Sequence, residues 1–425
     1  MRKAAGTLVI GGGVVGKTCA LALRRAGETV TLLDPREPSR PASYGNAGHI
    51  AIEQVEPLAS PAAVTSALGR LFALGGPLDF RLGDIAAWGP WAARFMAAST
   101  PAGAARGRRA LGALLEDALP AWRRLAASLD RPDLLVERGH LVVWESPESA
   151  RAGLAAWRAA DTGQARLAPL PDAETARLRR LVSAPIAGGA AFENTGQVSD
   201  PAVMLRLLDE AFDASGGERR LGRAARLESV DGQVEVLLDD GQRLTPERVL
   251  VAGGVGSGAL MRGLGHAAPV IAERGYHLEG GADHWDDLPP VVFEDRSLIL
   301  TRFGDRLRAA SFVEFGREAS PPDPRKWARL RRHLSELGVR LEGPVAEWMG
   351  ARPTLPDYLP AIGASRLVGG LYYAFGHQHL GLTLAAVTGE LVAALMSGAA
   401  PSTDLAPFDL DRFDRRLGPR MRKTA

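Results

Sequence analysis

A Gly-x-Gly-x-x-Gly turn set between two apolar runs constrains this chain more than any other feature. Thr7-Leu8-Val9-Ile10 leads into Gly11-Gly12-Gly13-Val14-Val15-Gly16, and Val30-Thr31-Leu32-Leu33 ends at Asp34. The spacing predicts a buried parallel strand, a tight turn, a helix and a second parallel strand. Gly11 suits the tight turn, Gly13 lets a pyrophosphate approach the backbone, and Gly16 lets helix and strand pack closely. The helix N-terminus offers N–H groups and a positive dipole end to phosphates. Asp34 stands where a carboxylate accepts hydrogen bonds from an adenosine ribose, which favours FAD or NAD over NADP.

At 425 residues the chain suits two domains, and 46% apolar with 24% charged residues is a globular composition. A net charge of +2 without basic tracts gives no case for nucleic acid. One cysteine, Cys19, excludes an internal disulfide. No run of about 18 or more apolar residues occurs, so no membrane span is expected. The expected location is the cytoplasm, with peripheral contact to the inner membrane left open. No metal-ligand set is recognised, and His140, on an expected strand at 139–144, reads as structural.

Residues 35–51 read as a loop and 61–129 as helices, with Trp88, Trp91 and Phe95 on a buried helical face. A helix is expected after Asp200-Pro201. A hairpin is expected around Asp239-Asp240-Gly241, and a buried strand at 248–254. Residues 269–315 read as antiparallel strands, including 293–301 and 307–315. Helices are expected at 323–337 and near 380–396.

Four segments together resemble the FAD-dependent D-amino-acid oxidase superfamily over nearly the whole chain. They are the fingerprint, Ser43-Tyr44-Gly45-Asn46-Ala47-Gly48-His49-Ile50, Val249–Gly254, and Gly350-Ala351-Arg352-Pro353 with Gly376-His377-Gln378-His379-Leu380-Gly381-Leu382-Thr383. Within it the chain looks most like bacterial D-amino-acid dehydrogenases. The Gly-Asn-Ala-Gly-His loop and Glu273-Arg274-Gly275-Tyr276-His277 look like the D-hydroxyproline dehydrogenase branch.

The resemblance implies an FAD-binding doubly wound (Rossmann-like) α/β domain from 1–55, 190–268 and 350–425. A substrate domain with a largely antiparallel sheet and a helical insertion would come from 56–189 and 269–349. FAD is expected without a covalent link. Gly11, Gly13, Val14, Val15, Gly16 and Asp34 would hold its adenosine and phosphates. Asn46, Ala47, Gly48, His49 and Gly253 would line it. Gly376, His379, Gly381, Leu382 and Thr383 would bring a helix N-terminus to the flavin pyrimidine edge, where reduced flavin carries negative charge.

The reaction implied is oxidation of a D-amino acid, cyclic ones such as cis-4-hydroxy-D-proline or D-proline leading. Hydride would pass from Cα to flavin N5, giving an imine, and an unidentified acceptor, the respiratory chain being one candidate, would take the electrons. Arg352 is expected on the substrate carboxylate, because its planar fork matches that group; Arg274 is next in line. Tyr276 is expected to face substrate, with His277 on the opposite side of the strand. His49 and His379 either tune the flavin or touch substrate. Lys17, where relatives more often carry an apolar residue, adds a phosphate contact or is solvated. The alternatives are an oxygen-using oxidase of glycine or sarcosine, an NAD-dependent dehydrogenase, and a non-enzymatic or RNA-modifying flavoprotein.

Overall fold

Apolar runs buried on both faces form parallel strands, one face packed on helices and the other mainly on the antiparallel strands Ala224–Val230 and Gln233–Leu238, and Leu8, Val9, Leu32 and Leu250 are all at most 2% exposed. The computed structural model describes residues 3–35 and 41–414. Residues 36–40 of the expected 35–51 loop and 415–425 of the expected cofactor domain lie outside the described residues. Lys3–Ile10 pairs in parallel with Val30–Asp34 on one side and Arg243–Val251 on the other. Leu371–Phe375 and Glu218–Leu221 extend this parallel set at its two sides. The hairpin turning through Asp239, Asp240 and Gly241 joins Gln233–Leu238 to Arg243–Val251.

The second sheet has nine strands and is mainly antiparallel. Near one edge Ile271–Gly281 lies between Arg306–Gly316 and the edge strand Glu342–Thr354. The strand expected over 293–301 is two, Val291–Phe293 and Leu298–Phe303, because Ser297 takes a left-handed φ of 49° and turns the chain between them. Gly188–Glu193 belongs to this sheet, paired with His140–Trp144, and so runs across the boundary expected at 190. Glu342–Thr354 likewise runs through the boundary expected at 350. A small three-stranded patch pairs Gly196–Val198 with His49–Ile50 and Leu135–Val136.

The helix Val14–Arg25 packs against the last helix, Ala385–Ser397. The Thr18 hydroxyl donates to the Ala385 carbonyl at 2.8 Å. Lys17 is neither solvated nor aimed at the glycine turn: it is 3% exposed and ion-paired with Asp209 of the helix Pro201–Ala214. Cys19 is fully buried, and burial pushes its thiol pKa up, which makes it inert. Trp91 is buried, while Trp88 and Phe95 are half-buried and pack in the same aromatic cluster. No helix among the described residues is long and apolar enough to cross a membrane.

Two fingerprint glycines have opposite reasons to be glycine. A Cβ at Gly16 would stand 1.8 Å from the Gly11 carbonyl oxygen, whereas one at Gly13 would meet only Pro41, at 3.7 Å. Gly16→Ala is therefore expected to cost about 1–3 kcal/mol through overpacking. Gly13→Ser, at a helix N-cap where serine is favoured, should leave the flavin-free protein as stable as the parent. Denaturant midpoints of the two flavin-free variants check this, and equal losses would contradict it.

Candidate active site

The carboxyl ends of the parallel strands lie side by side, Ile10 opposite Leu33 and Val251, and Val251 opposite Tyr373. In open α/β sheets this edge is where nucleotides bind. Gly11 holds a φ of 117° and packs against Ala252 and Gly253. The Asp34 carboxylate lies directly over the turn, 1.8 Å from where a Cβ of Gly12 would be. The first turn of Val14–Arg25 carries no acidic residue, and Gly13 offers no side chain to cap it.

The other expected cofactor segments reach the same edge. Val14 N–H donates to Ser43 Oγ at 3.2 Å, tying the helix to the 43–50 loop. In that loop Gly48 N–H donates to Asn46 Oδ1 at 2.7 Å. Ala51 N–H donates to Thr383 Oγ1 at 3.0 Å, and Trp122 Nε1–H donates to the Leu382 carbonyl at 3.0 Å. The 381–384 turn is thus held from behind through side chain and carbonyls. Among the described residues, the N–H groups of Gly381, Leu382 and Thr383 enter no hydrogen bond. A bare backbone at Gly13, a carboxylate at Asp34 and N–H groups at 381–383 fit a flavin dinucleotide.

The second sheet presents one face to this edge. Cross-strand partners share a face, and Glu273 is paired with Arg352, Gly275 with Gly350, and His277 with Trp348. Glu273 is 1% exposed yet fully used. Its Oε1 accepts from Arg352 Nη1 at 3.0 Å, and its Oε2 accepts from Thr354 Oγ1 and the Tyr358 hydroxyl, both at 3.1 Å. Arg352 Nη1 also donates to the Phe312 carbonyl at 3.3 Å. All hydrogen bonds of Arg352 among the described residues use Nη1, so its Nε–Nη2 edge is left without a hydrogen bond there, and its side chain is 29% exposed. Its Nη2 lies 2.3 Å from where a Cβ of Gly275 would stand, so only glycine leaves the guanidinium room. Tyr358 holds a left-handed φ of 57°, a strained position for a bulky residue, at the site where its hydroxyl meets Glu273.

Tyr276 is on the other face. It is 1% exposed, and its hydroxyl donates to Glu314 Oε2 at 2.6 Å. The alternation of the strand puts it with Arg274 against the helix Pro324–Leu337, where it meets Trp327 edge-on. Arg274 is fully buried there, donating to Pro321 O at 2.8 Å and paired with Glu314. Neither residue shares a face with Arg352. His277 does: its Nδ1 donates to the Gly45 carbonyl at 3.1 Å and its ring stacks on Trp348. The roles of Glu273, Thr354, Tyr358 and Trp348 were not assigned from the sequence: strand register brings Glu273, Thr354 and Trp348 onto this face, and the turn after the strand brings in Tyr358.

His379 Nε2 bonds Gln54 Oε1 at 2.5 Å. Burial, with the Arg352 charge adding to it against Glu273 and Glu53, brings His379 down to about 4. His49 Nε2 lies 3.0 Å from Glu53 Oε1, and His140 meets the His49 ring edge-on. Burial alone would raise Glu53, but His49 and His140 overturn it and hold the carboxyl at about 2.

The sequence profile of the FAD dependent oxidoreductase (DAO) family matches residues 7–395. A D-amino-acid oxidase of Bradyrhizobium diazoefficiens is 31% identical over 418 residues, covering 95% of this chain and 98% of that protein. A D-amino acid dehydrogenase of Dechloromonas aromatica is 30% identical, covering 94% and 99%. The glycine oxidase structure from Geobacillus kaustophilus superposes with a TM-score of 0.73 at 20% identity, covering 96% and 99%, a likeness of fold.

The histidines set a pH window for stability. Burial pushes His277, with help from Arg308, and His377 down to about 3, from an ordinary 6.5. Below pH 6.5 the unfolded chain takes up protons that these folded rings refuse, so stability falls with falling pH. At pH 5 each contributes a loss of about 2 kcal/mol. Glu53 adds nothing until the pH drops below its ordinary 4.5. The unfolding midpoint should fall between pH 7 and 5, and less steeply in His377→Asn. A flat profile in the parent would contradict this.

Proposed function

The chain belongs to the FAD dependent oxidoreductase (DAO) family, and on that premise we propose that it oxidises a D-amino acid, with cyclic substrates such as cis-4-hydroxy-D-proline or D-proline favoured. Relatives named both oxidase and dehydrogenase cover nearly its full length, so an FAD-dependent, D-amino-acid oxidase- or dehydrogenase-like enzyme is the frame. The observation that carries the reading is the Nε–Nη2 edge of Arg352, left without a hydrogen bond among the described residues. A guanidinium anchored at Nη1 presents its remaining two donors as a fork that accepts one carboxylate side-on. Bound FAD supplies the two-electron acceptor for the Cα–H bond.

The protein's own groups bind and orient. Glu273 positions Arg352, and Thr354 and Tyr358 satisfy the rest of that carboxylate. Burial raises the Tyr358 pKa well above the ordinary phenol value, so its hydroxyl stays a donor. His379 is uncharged at neutral pH and therefore does not repel a substrate amine. With Nε2–H committed to Gln54, its Nδ1 is left as a hydrogen-bond acceptor for an amine N–H. Gly13, Asp34 and the N–H groups of Gly381, Leu382 and Thr383 are the cofactor contacts, held non-covalently in this reading.

The electron acceptor is read from a surface. Leu68, Leu74, Leu82, Ile85 and Met96 are 73%, 71%, 81%, 57% and 54% exposed, and all fall within one stretch of chain. The two acids of that stretch are turned inward, Asp79 to Lys326 and Asp84 to Arg317 N–H and Ser320. Arg70 and Arg94 are exposed. An exposed apolar stretch that carries exposed arginines suits an anionic lipid face. Trp91 links it to the site, donating to the Thr354 carbonyl at 3.1 Å. Docking there would bring the enzyme to a membrane-borne acceptor.

Two outcomes follow. In anaerobic mixing, D-proline and cis-4-hydroxy-D-proline should bleach the flavin much faster than their L-forms or the amines lacking a carboxylate. Arg352→Lys should lose about 2–5 kcal/mol of that preference, roughly 30- to several-thousand-fold, while photoreduction of its flavin is unchanged. Bleaching that ignores the carboxylate in the parent would overturn the reading. Separately, the protein should sediment with anionic vesicles and not with neutral ones. Leu74→Gln with Leu82→Gln should release it, and failure of the parent to bind vesicles would remove the lipid surface from the account.

A further inference from the structure

A second cluster of chemistry-bearing side chains stands apart from the Arg352 face. His49 lies on the strand His49–Ile50, Glu53 follows in the next turn, and His140 opens the strand His140–Trp144. The Glu53 and His140 residues are each 3% exposed. The His49 ring is fixed by Nδ1, 3.2 Å from the Gly196 carbonyl oxygen. A carbonyl can only accept, so Nδ1 carries the hydrogen. The neutral ring then has its lone pair on Nε2, and that atom faces Glu53 Oε1 at 3.0 Å. Two electron-rich atoms in contact require a positive centre between them.

A proton on His49 Nε2 answers that contact and nothing else. Glu53 Oε2 and His140 Nδ1 are buried, and neither has a hydrogen-bond partner among the described residues. One ligand atom from each of the three residues lies within 4.8 Å of the others. A divalent ion answers the whole set with a modest closure. Two imidazoles and one carboxylate form a donor set of zinc and its first-row neighbours, and it is too poor in oxygen for calcium or magnesium. A backbone carbonyl on the far nitrogen of a ligating histidine is the usual outer contact of such sites.

We propose that His49, Glu53 and His140 form a binding site for one divalent transition-metal ion of the zinc class. Binding forms bonds from His49 Nε2, a Glu53 carboxylate oxygen and a ring nitrogen of His140 to the ion. Any proton on His49 Nε2 leaves to solvent, and no electron moves. The ion pins the loop ending at His49 to the larger sheet through His140. The inference does not depend on the substrate reading.

The test uses the purified flavoprotein, stripped with a chelator and re-equilibrated with micromolar Zn²⁺. Metal retained after gel filtration is measured by elemental analysis. About one ion per chain is expected. Glu53→Gln and His140→Gln should each weaken retention by at least about tenfold, while Glu342→Gln beside the half-buried His284, a control away from the site, should not. Should either site variant fail to fold, Co²⁺ added to the stripped parent gives the second readout. Visible d–d bands beyond the flavin absorption, removed by excess Zn²⁺, are expected. No retained zinc and no such bands, or zinc retained equally by parent and both site variants, would overturn the proposal.

Discussion

The contact on which the site depends is the buried pair between Glu273 and Arg352. A carboxylate at 1% exposure is tolerable only when its lone pairs are taken up, and here Arg352, Thr354 and Tyr358 take them. The pair is a consequence of register: Ile271–Gly281 and Glu342–Thr354 place the two residues directly opposite. Fixing Nη1 in this way decides which edge of the guanidinium remains for a ligand. The glycine pair Gly275 and Gly350 on the same face then clears space, the first for the guanidinium and the second for the Trp348 ring.

That face also holds the cofactor loop. His277 donates to the Gly45 carbonyl, Trp348 packs where a Gly45 Cβ would be, and Arg308 Nη1 donates to the carbonyls of Tyr44, at 3.1 Å, and Asn46, at 2.5 Å. Burial pushes the Arg308 pKa down against the opposing pull of Glu279. The substrate sheet therefore shapes the loop that would lie against the flavin. On the proposed reading, cofactor seating and carboxylate binding would share one set of strands.

The glycine fingerprint was legible because its constraints are local: a positive φ at Gly11 and a close approach at Gly16 admit little else. Arg352, whose place on a carboxylate is a proposal, was singled out by its Gly-Ala-Arg-Pro setting and the family resemblance. Its partner was not, since Glu273 is 79 positions away and meets it only by strand register. Tyr276 shows the limit of the period-two rule. Alternation correctly separates Tyr276 from His277, but which of them faces the site depends on where the helix Pro324–Leu337 packs, and it packs on the Tyr276 side. Lys17 was misread for a similar reason, its partner Asp209 lying on a helix far along the chain. The domain limits at 190 and 350 cut through strands because composition does not change where a sheet continues.

The most direct test of this account is the affinity of a non-oxidisable cyclic carboxylate, pyrrole-2-carboxylate, read from its perturbation of the flavin spectrum. If Glu273 sets the fork, Glu273→Gln in flavin-loaded protein should weaken that affinity by about tenfold or more, while Tyr276→Phe should bind like the parent. Equal binding by Glu273→Gln and the parent, with the loss falling on Tyr276→Phe instead, would contradict it.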